Sequence, residues 1–214
     1  MTALLDSAGR YSELVLASTS PARNALLGAL GVPFRAEAPG VDEDVAPGTS
    51  PVQAVALLAE RKARAVWTRC PQALVIGADQ LVGLDGRALG KPPDAAAARA
   101  QLQALAGRAH DILTAVCLVG PGFFCTEVET ARLTLWPLRP NELDAYVATG
   151  EWEGCAGSYR VEGRGQALFK EIQGDRAGIQ GLPMTLVVRL LREAGVEFFS
   201  SPRNAARYSF GDAP

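Results

Sequence analysis

The chain has 214 residues, 48% of them hydrophobic and 21% charged, with a formal net charge of -2. It is too apolar for disorder, and long enough for one sizeable core or two lobes sharing a cleft. The charge balance argues against a broad basic face for nucleic-acid polymers, although clustered Lys and Arg can still make a local site for a small anion.

In chain order, residues 13–17 read as a buried first strand after a short irregular start. Ser20-Pro21 then opens a helix, since Ser is a good N-cap and Pro at the first helical position gives up no useful N–H. That helix runs through Leu26, Leu27 and Leu30 to Gly31, a plausible stop, and residues 32–36 look like a second strand. Residues 39–49 form a loop rich in Pro, Gly and acidic residues. Ser50-Pro51-Val52-Gln53 carries a capping box and predicts a helix to about Trp67. Residues 73–78 are apolar without alternation, as in a central strand covered on both faces. Asp85-Gly86 marks a short hairpin. Asp94 caps an Ala-rich helix ending near Gly107. Residues 112–119 and 123–136 form a long antiparallel pair, residues 140–148 a helix, and Gly-rich turns lead to a last helix over about 183–193. The tail from 200 is expected to be loosely ordered. With no repeat or low-complexity linker, one α/β domain over 1–214 is expected, its core at about 13–195.

The four cysteines, Cys70, Cys117, Cys125 and Cys155, show no C-x-x-C pair and read as thiols of a reducing compartment. No apolar run is long enough to cross a bilayer, and the first residues lack the features of a secretory signal, so a cytoplasmic protein without membrane contact is expected.

Four positions stand out for chemistry. The turn Ser18-Thr19-Ser20-Pro21-Ala22-Arg23 joins a strand end to a helix start, where free N–H groups and the helix dipole favour an anion and Arg23 can add bidentate contacts. From this turn alone, a simple cap and a surface Arg remain equally open. Lys62 falls near the middle of the apolar face defined by Val55, Leu58, Ala59 and Val66, so it must either snorkel or point into a polar cleft. Asp79 directly follows the apolar strand, where ligands of α/β sheets bind, and is a candidate metal ligand or general base; an ordinary turn at the strand exit is the alternative. Gly90-Lys91-Pro92 places a second Lys in a turn. It is not a phosphate-binding P-loop, because position 85 is Asp85 and Pro92 follows the Lys. Gly163-Arg164-Gly165 fails as a dinucleotide fingerprint because Leu168 stands where the third Gly belongs. His110, the only histidine, has no nucleophile elbow to serve and reads as structural. Carboxylates with Lys/Arg charge suit phosphoanhydride hydrolysis, where positioning and charge neutralisation supply most of the catalysis.

The block Ala17-Ser18-Thr19-Ser20-Pro21-Ala22-Arg23 resembles the opening signature of the Maf (septum-formation-like) family. Val41-Asp42-Glu43, Leu58 to Ala63, Ile76-Gly77-Ala78-Asp79, Leu89 to Pro92, Ala156 to Tyr159, Glu162-Gly163, Gly174-Asp175 and Gly181-Leu182-Pro183 follow in order, over roughly residues 13–195. The resemblance implies a mixed α/β fold with two lobes around a central cleft, similar to inosine-triphosphate pyrophosphatases. It also implies hydrolysis of a nucleoside triphosphate to monophosphate and pyrophosphate with Mg2+ or Mn2+, and a homodimer. It makes Asp79 the catalytic carboxylate, Glu43 and Asp79 the metal-binding pair, and Ser18, Arg23, Lys62 and Lys91 the triphosphate-holding residues. Gln80 and Glu162 look like the branch acting on 7-methyl-GTP, where the branch acting on dTTP and UTP has Thr and Gln. Glu162 could accept hydrogen bonds from a guanine edge and favour the charge of a methylated base. Ala22 matches neither branch at a third selectivity position. The alternatives are a dTTP/UTP enzyme and a nucleotide-binding regulator of septum formation without turnover. An esterase using Ser18 or Ser20 is disfavoured because no activating base can be named.

Overall fold

Strand β1 (Leu14–Ala17) is buried along its whole length, as four consecutive apolar residues require. Ser20 caps α1 (Pro21–Gly28) by accepting the Arg23 N–H. β2 is only Arg35–Ala36, shorter than expected, because Gly31 turns the chain at φ +67° and Pro33 has no N–H for a ladder. α2 (Pro51–Trp67) begins with the expected capping box between Ser50 and Gln53. The computed structural model describes residues 8–199, so the first seven residues and the tail from 200 lie outside it.

β3 (Leu74–Leu84) turns through Asp85-Gly86 into β4 (Arg87–Leu89), and both turn residues have positive φ, as a two-residue hairpin demands. Then come α3 (Ala95–Leu105), β5 (Ala109–Gly120), β6 (Phe123–Leu135), α4 (Pro140–Val147), β7 (Phe169–Gln173), α5 (Arg176–Ile179) and α6 (Met184–Glu193). The seven strands make one mixed sheet in the order β2-β1-β3-β5-β6-β7, with β4 on β3. β1 runs parallel to β2 and β3, while the remaining pairs are antiparallel.

The core falls into three clusters. Val55, Ala59, Ala63 and Val66 of α2 pack on Val15, Val75, Ala115 and Cys117 at one face of the sheet. Leu27 of α1 and Leu186, Leu190 and Leu191 of α6 cover Leu14, Leu16, Ile76 and Leu118 on the other. At the far end of the long strands, Val82, Leu84, Ile112 and Leu133 meet Leu102 of α3, Leu143 of α4, Tyr159 and Phe169. Two lobes therefore share β3, β5 and β6 as their common frame.

Two expectations need correction. Asp79 lies inside β3, not after a strand ending at 78, because β5 supplies ladder partners from Val75 through Gly83. β7 and α5 stand where only turns were expected. β7 is an edge strand whose exposed residues show little alternation, and α5 is one turn containing a glycine, too short for a periodic signal.

Candidate active site

The ends of two strands open the site. β1 stops at Ala17, opposite Gly77, and β4 takes up that same edge of β3 only at Val82. Residues 78–81 are thus left with an open edge, and the notch lies at the carboxyl end of β1, where α/β sheets bind ligands.

Gly77 then sets the geometry. A Cβ there would lie 2.6 Å from the Ala63 nitrogen and against the Ala59 carbonyl, so only glycine lets the α2 backbone rest directly on the strand. Side chains alternate along β3, which puts Asp79 on the α2 face with Gly77. Lys62, one residue before Ala63, lies over it. Its Nζ donates to Asp79 Oδ1 at 2.5 Å and to Glu43 Oε1 at 2.6 Å. The Lys62 and Asp79 side chains are only 9% and 8% exposed, so the lysine points into a polar cleft and does not snorkel. The loop bearing Glu43 is held by Arg61, whose Nη1 donates to the carbonyls of Asp44 and Asp42.

The two carboxylates are driven apart. Burial pushes the Asp79 carboxyl above its usual range, against the pull of Lys62 and Arg23. The Lys62 hydrogen bond holds the exposed Glu43 below its own. Two neighbouring carboxylates whose pKa values are pushed in opposite directions are a pattern found at acid–base sites.

On the rim, Ser18 is buried and its Oγ accepts the Ser20 N–H at 3.1 Å. Arg23 Nε donates to the Gly181 carbonyl at 2.9 Å. Desolvation lowers the pKa of its guanidinium, with Asp79 and Glu43 pulling the other way; an arginine stays charged regardless. Lys91 follows β4 in a turn that Gln101 of α3 anchors by donating to the Gly90 carbonyl at 3.0 Å. Ser158 in turn donates to Gln101 at 2.7 Å. Ser18, Arg23, Glu43, Lys62, Asp79 and Lys91 all border one cleft of about 730 Å³, a size suited to a small-molecule site. With Arg160, four cations line it against the carboxylates Glu43, Asp79 and Glu162, a local positive excess on a chain of net charge -2.

Of the three expected selectivity positions, Glu162 borders the cleft, its Oε1 lying 4.0 Å from Arg160 Nε. Gln80 borders it too, but its amide donates to the Gly178 and Ile179 carbonyls, at 2.8 and 3.0 Å. Ala22 does not border it, although Pro21 and Arg23 do; a single methyl, turned about 100° round α1 from Arg23, falls short. His110 sits behind the cleft wall with Nε2 2.7 Å from the Tyr159 hydroxyl, and burial lowers its pKa to about 4, so it is neutral and structural.

Several contributors were not legible in the sequence. Tyr159 and Arg160 line the cleft, while Glu151 accepts the N–H groups of Arg164 and Gly165 and so holds the loop bearing Glu162. Tyr159 stood in a block that carried the family resemblance, but without a role; Arg160 and Glu151, like Gln101, act across the chain, and no local spacing announces them.

A mixed sheet whose notch holds a buried carboxylate, with cations on both rims, defines an α/β protein with a charged small-molecule cleft. The family described as Maf-like protein matches residues 13–194, and the chain belongs to it. It is 46% identical over 191 residues to a 7-methyl-GTP pyrophosphatase of Xanthomonas campestris pv. campestris (strain 8004), covering 88% of this chain and 98% of that one. It is also 42% identical over 188 residues to a dTTP/UTP pyrophosphatase of Symbiobacterium thermophilum, covering 88% and 97%. The solved Ham1 protein of Staphylococcus aureus is similar over 58% of this chain and 72% of its own, at 17% identity and a TM-score of 0.43.

Proposed function

We propose that this protein is a nucleoside triphosphate pyrophosphatase that breaks the α–β phosphoanhydride to release a monophosphate and pyrophosphate, with 7-methyl-GTP or another modified nucleotide as substrate. The observation that carries this reading is the Asp79–Lys62–Glu43 bridge at the floor of a cleft flanked by Arg23 and Lys91. Both relatives are named as nucleotide pyrophosphatases, which agrees with it.

A divalent cation fits the residues present. Asp79 and Glu43 meet the same ammonium and both border the cleft, and as hard oxygen donors they would suit such an ion. Among the described residues no group of three or more His, Cys, Asp or Glu could hold a metal, so two carboxylates would leave the remaining positions to phosphate oxygens and water. That is the usual coordination of Mg2+, and Mn2+ accepts the same hard oxygens. Once bound, the ion would neutralise charge developing on the phosphates. Ser18, Arg23, Lys62 and Lys91 hold the triphosphate, and the Asp79 carboxylate takes the proton of the attacking water. Glu162 accepts hydrogen bonds from a guanine edge, with Arg160 beside it. A dTTP/UTP substrate is the second reading, favoured by the relative from Symbiobacterium.

The test is incubation with Mg2+ or Mn2+ and a panel of normal and modified nucleoside triphosphates, with identification of the products. Monophosphate and pyrophosphate are expected, lost in Asp79→Asn and on chelation with EDTA. Diphosphate and phosphate would misplace the scissile bond. Nucleotide binding without turnover would make the protein a regulator.

A further inference from the structure

Gln80 lies next to Asp79 in β3 but faces the other side of the sheet, where its amide is engaged with the chain's own backbone. Nε2 stands 2.8 Å from the Gly178 carbonyl, 3.0 Å from that of Ile179 and 3.0 Å from Thr114 Oγ1. Thr114 itself donates to the Gly178 carbonyl at 3.0 Å. These carbonyls end α5, and that of Gly178 also accepts the Gly181 N–H at 2.9 Å, which ties the following turn to the same oxygen. Two residues further on, the Gly181 carbonyl accepts from Arg23 Nε. Gly181 has φ +107°, and a Cβ on it would lie 3.3 Å from Arg23 Nε, so this turn and the guanidinium are in close contact.

We propose that Gln80 is a positioning residue for the phosphate end of the cleft: it fixes the end of α5 and thereby the Gly181 carbonyl that orients Arg23. With Nε committed to that carbonyl, the guanidinium keeps one orientation and directs its terminal nitrogens consistently. Thr114 supports the same carbonyl from β5, is buried, and does not border the cleft. Thr114, which reaches the same carbonyl without bordering the cleft, separates this role from any contact Gln80 makes with a base. The inference builds on the reading of this cleft as a triphosphate site.

Two isosteric variants test it. Gln80→Glu replaces donors by an acceptor, and Thr114→Val removes a hydroxyl that no base could touch. Binding of inorganic tripolyphosphate by calorimetry reads the phosphate end alone, and kcat/KM for 7-methyl-GTP, GTP and UTP reads the base. Both variants should weaken tripolyphosphate about three- to ten-fold, the worth of a hydrogen bond or two, and Thr114→Val should lower all three kcat/KM values by a common factor. In an Arg23→Ala background Gln80→Glu should have no further effect, because it acts through Arg23. Unchanged tripolyphosphate affinity overturns the proposal, whether or not the nucleotide ratios move. So does a Gln80→Glu effect that adds fully to that of Arg23→Ala. If the wild-type protein hydrolyses no nucleotide, the pyrophosphatase reading fails instead, and the tripolyphosphate measurements still decide the role of Gln80.

Discussion

Replacing Lys62 by Met removes the ammonium at the centre of the site while keeping an unbranched apolar stem in the buried face of α2. Asp79 then loses its closest cation, and its side chain is only 8% exposed. Breaking a fully enclosed ion pair by deleting one member costs about 3–5 kcal/mol. Here the cleft admits water on one side and the carboxylate can protonate, so a loss of about 2–3 kcal/mol is expected at pH 8. The pH dependence has a definite sign. Burial already raises the Asp79 pKa in the folded state, and loss of Lys62 raises it further. Above that pKa the folded variant carries an unpaired carboxylate and the deficit is full. As the pH falls through it, the folded state binds a proton that the unfolded state does not, and the deficit shrinks. Urea unfolding of wild type and variant at pH 8 and pH 5 measures both effects. The double variant Lys62→Met/Asp79→Asn should recover at least about 1 kcal/mol of the loss without recovering hydrolysis. A deficit below about 0.5 kcal/mol at pH 8, with no recovery in the double variant, would refute the argument that the two charges balance each other in a buried site.

Gly77→Ala should destabilise the fold by about 1–3 kcal/mol and abolish turnover, because its Cβ meets the α2 backbone and moves Lys62 off Asp79. Gly83→Ala in the same strand meets nothing closer than 3.8 Å and should leave urea midpoint and activity nearly unchanged; equal damage in the two would sink the close-approach argument. Glu162→Gln should lower kcat/KM for 7-methyl-GTP relative to UTP by about ten-fold, the scale of one charge-assisted hydrogen bond, and an unchanged ratio would count against Glu162 as a base reader. The His110 pKa falls from 6.5 to about 4 on folding, so the stability it contributes is complete above pH 6.5 and drains away as the pH drops toward 4. At roughly 1.4 kcal/mol per unit that is about 3 kcal/mol, which His110→Gln should not lose over the same range of urea melts.

Much of the architecture and of the site was written locally. Ser20-Pro21, Ser50 to Gln53 and Asp85-Gly86 act through hydrogen bonds and backbone angles within four residues, so the starts of α1 and α2 and the β3–β4 hairpin appear where their signals stand. Lys62 betrayed itself by standing in an apolar stripe, an arrangement with few physical outcomes. The tertiary structure decided what depends on partners distant in the chain. β3 runs on through Asp79 because β5 offers a ladder, and β7 exists because β6 has a free edge for it to pair with. Gln80 turns away from Asp79 because successive strand residues face opposite sides, and which neighbour waits there was set by α5, nearly a hundred residues later. Capping and turn chemistry are short-ranged and can be read from neighbouring residues. Strand partners and the direction of a side-chain amide are settled by contacts that form only when the chain has closed on itself.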